Sequence, residues 1–389
     1  MWTYLVTAKV LDEVCLAKRG SAGNIYYSFD YIPGTAWWAA LAAASGIQAG
    51  QEPSSEFKQV FYSGDIIFSH LYPLESSSNS RALPLPSSAR TRKSRPGFLN
   101  SPEIYGEMTN DLRESVYPQG VWDWLNDGHP STYKGDWQPF TGWYVLKTIN
   151  TNGDIKVASH SILRGHTDIS GPSGTSSQGL LFLRQNITRD QRFQGYLRIM
   201  TQEAYDALLS FFNPDDFNDT PLIISVGRQP GAVSLRFEAW EDALPWRTQP
   251  TADEGDLATL TVTFLSDTIL LDQRLRAYSY LPADEIAKIL GTGVMVDGPQ
   301  VGFSAFRQIS GWNGAYGRPK EIDLSIAAGS AFNYIIEWPS GLSRADKTNL
   351  LQSWQNRGIG WRRAEGYGEI YINNPFHDKF SQEPDNGHE

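Results

Sequence analysis

The sequence predicts an α+β protein of two tandem ferredoxin-like (RRM-like) domains, the first with a long irregular insertion. Three observations carry that expectation. A strand, a capped helix, a glycine loop and a second strand follow one another twice, at 195–238 and 329–373, and such an internal repeat implies duplicated domains. Short β-type runs of branched and aromatic residues alternate with helices, the pattern of antiparallel sheets covered by helices on one face. Finally, 389 residues exceed one ordinary core. The expected domains are 1–250, including a basic insertion at about 75–142, and 251–375, followed by a polar tail at 376–389.

In order, MWTYLVTAKVLDEVCLA reads as a strand entering the core. In IPGTAWWAALAAASG, Pro33 and Gly34 form a turn, Thr35 is the expected N-cap, and the Ala/Leu/Trp run makes a helix to Gly46. Phe61 to Leu74 is expected as one strand, and the Pro/Ser/Gly-rich stretch to about Gly142 as the insertion, its aromatics folding back on the core. GWYVLKTI, VASHSILRGHTDIS, LLFLRQNI and FQGYLRIM are further strands. Thr201 then caps a helix with Glu203 near its positive end and an apolar stripe of Tyr205, Leu208, Leu209 and Phe212. PLIISV, the loop GRQPG and AVSLRFEAW complete the first unit.

The second unit opens with a long β-type run, Leu257 to Leu271, and a short helix at Asp284–Leu290. SAFNYIIEW is a strand, and Ser343, with Asp346 three residues on, caps a helix that Gly358 stops. The loop GIGWRRAEGYG and the strand EIYIN follow.

No apolar run approaches the roughly 20 residues of a bilayer helix. Lys9, Asp12 and Glu13 stand where a signal segment would be apolar, so a cytoplasmic protein with no membrane partner is expected. The lone Cys15 can form neither an internal disulfide nor a thiolate metal site, and an inert buried thiol is expected. A net charge of −10 argues against coating nucleic acid by bulk electrostatics. Locally the balance reverses: Arg81, Arg90, Arg92, Lys93 and Arg95 occur without an intervening acid. This run reads either as a solvated loop or as an arm that orders on a polyanion.

The C-terminal loop places Gly358, Gly360, Gly366 and Gly368 around Arg362 and Arg363, with Trp361 and Tyr367 beside them. Glycines let a backbone approach a phosphate, and guanidinium forks contact phosphates and stack on bases. A turn needing positive φ is the plainer alternative, but four glycines with paired arginines favour RNA. The earlier copy keeps Gly227, Arg228 and Gly231 without the second arginine, and is expected to be mainly architectural. Trp312, Asn313, Tyr316, Arg318 and Lys320 lie in either an RNA-facing loop or a hairpin with inward aromatics. No dinucleotide fingerprint, P-loop or metal motif is present, and no cofactor is expected. His160 and His166, near Lys156 and Arg164, are weak candidates for metal-free RNA cleavage, an ordinary sheet-surface pair being the plainer reading. Asp136, Asp154 and Asp168 read as turn formers. Thirteen tryptophans also suggest a carbohydrate-binding β-protein, against which the lack of disulfides weighs.

IPGTAWWAALAA, GLLFLRQNI with FQGYLRI, GWNGAYGRPK with AAGSAF, and GIGWRRAEGYGEIYI together resemble the RAMP superfamily of CRISPR systems, over most of the chain outside about 75–142. Within it they are most similar to the cyanobacterial-type, Cas-five-like subunit of type III-D effector complexes. That resemblance implies a subunit, usually not a nuclease, that holds the 5′ handle of CRISPR guide RNA. Its implied partners are the large polymerase-type subunit and backbone RAMP subunits, with target RNA a further candidate. The alternative within the superfamily is an endoribonuclease or a backbone subunit. Trp37 and Trp38 stand where family members often carry arginine and glycine, so no phosphate contact is carried to them, whereas Arg362, Arg363, Gly366 and Gly368 match the terminal motif.

Overall fold

A computed structural model describes residues 1–18, 25–45, 52–75, 79–93, 108–110, 137–145, 155–157, 161–169, 176–227, 231–313 and 318–379, in a mixed α+β fold. In the first half, β1 (Trp2–Val10) is followed by α1 (Gly34–Ala44), α2 (Ser55–Phe61), β2 (Ile66–Phe68), β3 (Tyr72–Glu75) and β4 (Ser80–Arg81). Then come β5 (Arg192–Ile199), α3 (Gln202–Leu209), β6 (Leu222–Val226) and β7 (Gly231–Ala239). The strands form one seven-stranded sheet, ordered β6-β7-β1-β5-β3-β4 with β2 also beside β5. Both faces of β1 meet a core: Tyr4, Val6 and Ala8 join the cluster under the helices, and Leu5 joins a second cluster on the opposite face.

The second half runs β8 (Leu257–Phe264), α4 (Ala283–Leu290), β9 (Met295–Phe303), a hairpin of β10 (Phe306–Ile309) and β11 (Asp323–Ile326), then β12 (Ala331–Glu337), α5 (Arg344–Arg357) and β13 (Ile370–Ile372). Its four main strands are ordered β9-β12-β8-β13 with antiparallel neighbours. Val262 and Ile372 face the helices, while Tyr371, paired with Thr263, faces the first half.

Several local expectations change. Thr35 is not the cap of α1, which starts at Gly34, two residues before a Thr35 cap would start it, with Pro33 at the cap and no side-chain cap bond. Phe61 closes α2 instead of opening a strand, and the strand run after it divides at Ser69 and His70, where Ser69 Oγ accepts the Tyr196 N–H at 2.6 Å. Leu209 is exposed, and α3 buries Ala204, Ala207 and Leu208. The strand that opens at Leu257 ends at Phe264, after which the Leu265 and Ser266 N–H groups both bond the Glu369 carbonyl. Cys15 is buried, and no helix among the described residues is long and apolar enough to cross a membrane.

The basic stretch departs most. Arg81 belongs to no solvated arm: its side chain is fully buried and donates to Glu369 through Nη1 at 3.0 Å and Nη2 at 2.9 Å, and to the His70 carbonyl at 3.2 Å. Tyr72 and Trp246 stack on the guanidinium, each with its ring centroid 4.5 Å away. Ala89–Arg92 is a strand between Met108–Asn110 and Trp137–Pro139. Leu83, Leu85, Phe140 and Tyr144 enter the core shared with Leu5, Tyr196, Leu265 and Tyr371. The insertion thus helps to join the halves.

Arg198 donates to the Asn356 carbonyl at 2.5 Å and Arg247 to that of Gln355 at 3.2 Å, so two first-half arginines cap the negative end of α5. His70 Nδ1 accepts the Gly34 N–H at 2.9 Å, which places the imidazole proton on Nε2.

Removing one partner of the buried pair leaves an unpaired charge. Glu369→Gln should therefore lower unfolding stability by about 3–5 kcal/mol, and Arg81→Met combined with Glu369→Leu by much less, as read by urea denaturation. Burial pushes His70 from 6.5 down to about 3. The folded state therefore stays neutral while the unfolded state protonates as pH falls below 6.5, and stability should fall between pH 6.5 and 5 by at most about 1.4 kcal/mol per unit from this group. His70→Gln, which accepts a hydrogen bond but cannot charge, should flatten that slope. Glu369 acts at lower pH: burial alone would raise its carboxyl, but Arg81 holds it below the usual range.

Candidate nucleic-acid interface

The loop between α5 and β13 leaves a helix that begins where Ser343 predicts: the Ser343 Oγ accepts the Asp346 N–H at 3.1 Å in a complete capping box, and α5 stops at Gly358 with φ 67°. Close contact between backbones shapes the remainder of the loop. A Cβ at Gly368 would collide with the Ile359 carbonyl oxygen, and one at Gly366 would lie 2.5 Å from His70 Nδ1 and 2.8 Å from the Phe68 carbonyl oxygen. Both have positive φ. Across the contact, a Cβ on Gly34 would collide with the carbonyl oxygens of Phe68 and Glu365. Gly366 and Gly368 thus face protein, so packing between segments accounts for them in place of the expected phosphate cradle.

The two adjacent arginines part company. Arg362, in the left-handed region at φ 58°, donates to Asp323 at 2.8 Å and to both Glu365 oxygens at 3.0 and 2.7 Å, and lies over Tyr367. Glu365 also accepts from Lys320 at 2.8 Å. Burial alone would lower the Arg362 pKa and raise that of Glu365, but their pairing reverses both shifts. Arg362, expected on RNA, is bonded within the protein, its charge matched by Glu365 and Asp323.

Arg363 has no carboxylate in hydrogen-bond contact among the described residues. Its Nη1 donates to the Arg357 carbonyl at 3.2 Å, and burial together with the Arg357 charge lowers its pKa. Arg357 is exposed at the end of α5, and Trp361 is 56% exposed. These three residues line a groove of about 420 Å³ whose wall includes Leu270, Ile289 and Leu350. In the sequence Arg357 is only the last residue before a helix stop, and a basic residue in a last turn is its one local signal.

The other candidates are scattered. Arg90 is half-buried on its strand, Lys93 is exposed, Arg92 lies on the strand with its side chain outside the described residues, and Arg95 lies outside them altogether. Arg228 is also outside, but Gly227 and Gly231 beside it pack on the Cys15 and Glu13 carbonyl oxygens, each 2.7 Å from an added Cβ. Trp312 and Asn313 form a two-residue strand against Arg318–Pro319, with their own side chains outside the described set. His160 lies outside it, and His166 sits opposite Phe182 on a β-ribbon, its side chain likewise undescribed. Arg164 pairs with Glu13, whose carboxyl Arg164 and Asn186 pull down to about 2. Among the described residues no group of three His, Cys, Asp or Glu could hold a metal ion.

No protein-family model and no curated protein matches the sequence. Among solved structures, the chain is similar to a chain of the type III-B Cmr-beta complex bound to cognate target RNA and AMPPnP, at 12% identity and a TM-score of 0.42, covering 85% of this chain and 86% of that one. It is likewise similar to a chain of the same complex with cognate target RNA, at 11% identity, a TM-score of 0.42 and the same coverage. A Cas6 product complex is similar at 14% identity and a TM-score of 0.28, covering 48% of this chain and 79% of that one.

If the loop glycines serve packing, Gly366→Ala and Gly368→Ala should each lower stability by more than about 2 kcal/mol, since left-handed strain adds to the collisions. Arg362→Ala should destabilise in the same urea assay, leaving Glu365 and Asp323 without it, while Arg363→Ala should change stability by less than about 1 kcal/mol.

Proposed function

We propose that this chain is an RNA-binding RAMP subunit of a type III CRISPR effector, of the Cas-five-like kind found in type III-D complexes. In this reading it holds the 5′ handle of the guide RNA without cleaving it. The observation that carries the reading is the pairing of Arg357 with Arg363 beside the exposed Trp361. Two arginines on one groove wall, neither in hydrogen-bond contact with a carboxylate among the described residues, can take up a phosphate, while the indole offers a stacking surface. The sequence resemblance supplies the type III-D assignment and the partners: guide RNA, the large polymerase-type subunit and backbone RAMP subunits, with target RNA a further candidate. Both halves fit ferredoxin-like units, since each orders its main elements strand, helix, strand, strand, helix, strand, with the first strand between the third and the fourth. The setting is cytoplasmic. A net charge of −10 makes the lone subunit a weak RNA binder, so affinity comes jointly from the assembly.

Binding of single-stranded repeat RNA, measured against salt, tests the reading. Arg357→Ala with Arg363→Ala should weaken binding and reduce the slope of log K against log salt by about 0.7, as expected for one phosphate no longer neutralised. Arg362→Ala should leave that slope unchanged. Unaltered binding in the double variant would sink the assignment. Metal-free cleavage of the same RNA, abolished by His160→Ala or His166→Ala, would overturn the non-catalytic part.

A further inference from the structure

The groove beside Trp361 holds more than two phosphate-binding groups. Its wall is apolar, through Leu270, Ile289 and Leu350. Trp354, 1% exposed, also lines it, and its indole N–H has no acceptor among its neighbours. That N–H is itself buried in the core, so Trp354 closes the floor of the groove and offers it no donor. Glu285 is the one acid among the lining residues, and Lys288 holds it at 2.6 Å.

Three kinds of occupant can be compared with this chemistry. Inorganic phosphate would use the guanidinium groups and leave the apolar wall and Trp361 facing water. An apolar peptide side chain would cover the wall and leave Arg363 desolvated without a counter-ion. A nucleotide matches both parts, with flat apolar faces for Trp361 and the wall and a phosphate for the arginines. About 420 Å³ lies within the range of small-ligand sites.

On the premise of the RNA reading above, we infer that this groove is a subsite for one unstacked nucleotide, its base between Trp361 and the apolar wall and its phosphate on Arg357 and Arg363. The same chemistry fits a nucleotide of an RNA chain and a free nucleoside monophosphate.

The test uses the full chain and a single-stranded 12-mer RNA carrying one 5-iodouridine, with photo-crosslinks mapped by mass spectrometry. UMP, AMP, ribose 5-phosphate and inorganic phosphate serve as competitors. The expected crosslink falls on Trp361. It should disappear in Ile289→Trp, which fills the groove away from the arginines, while the urea midpoint of that variant reports its fold. RNA affinity should fall about tenfold in Trp361→Ala and largely return in Trp361→Phe. Competition by UMP or AMP, but not by ribose 5-phosphate, would support the subsite with a free nucleotide as occupant, and a crosslink that none of them displaces would support a nucleotide of the chain. If crosslinks map only elsewhere, and a 12-mer abasic at the labelled position binds as tightly as the intact one yet still needs Arg357 and Arg363, the subsite is wrong and RNA binding stands. If the double arginine variant binds RNA as the parent does, both fail.

Discussion

The ion pair of Arg81 with Glu369 is the constraint on which the remaining geometry depends. Two charges withdrawn from water are tolerated only with good geometry and further hydrogen bonds. Here the fork is bidentate, the His70 carbonyl takes a third bond, and Tyr72 and Trp246 stack on the guanidinium. The pair fixes more than itself, because Glu369 is the last residue before β13 and so marks one end of the glycine loop. The other end is fixed by Arg198 and Arg247, which hold the final carbonyls of α5. Both anchors come from the first half. The loop is therefore strung between two points set by the other half of the molecule, and Gly34 and Gly366 let its middle lie against α1 and β2.

A loop held in that way can treat neighbouring residues of one kind differently. Arg362 and Arg363 are adjacent, yet the left-handed backbone at Arg362 turns its side chain towards Glu365 and Asp323. Those carboxylates neutralise one guanidinium and leave the other beside Arg357. The outward pair that matters is thus not the pair adjacent in sequence, but one residue of the helix end and one of the loop.

This is also where the sequence was and was not legible. Ser343 with Asp346, Thr201 before α3 and Gly358 after α5 act over three or four residues, and the structure places each where local rules put it. Arg81 could not be read that way. Its neighbours in sequence are Ser, Pro and other arginines, the composition of a solvated arm, while the partner that buries it lies 288 residues away. The glycines were recognised as special for a correct reason, close approach, but a sequence does not say what approaches. At Gly366 it is His70, and at Gly368 it is Ile359. Leu209 and Thr35 failed for a smaller reason: a helix start shifted by two residues, or one face slightly rotated, changes which side chain caps or is covered.

The position of the groove follows from the same assembly. A four-stranded sheet of this topology commonly offers RNA its open face, with aromatics stacking on bases. Here the faces turned away from the helices are directed at each other: Leu5 and Tyr196 of one sheet share a core with Tyr371 of the other, and the insertion adds Leu83 and Tyr144. Those aromatics are buried and cannot stack on a base. Among the described residues, the exposed Trp361 with its two neighbouring cations lies instead at the end of α5, outside the joint between the halves. A chain of net charge −10 can concentrate positive potential there because its other arginines at this junction, Arg81, Arg198, Arg247 and Arg362, are buried or already bonded to protein oxygens. Joining the two sheets and leaving the cationic groove at the end of α5 are consequences of one arrangement.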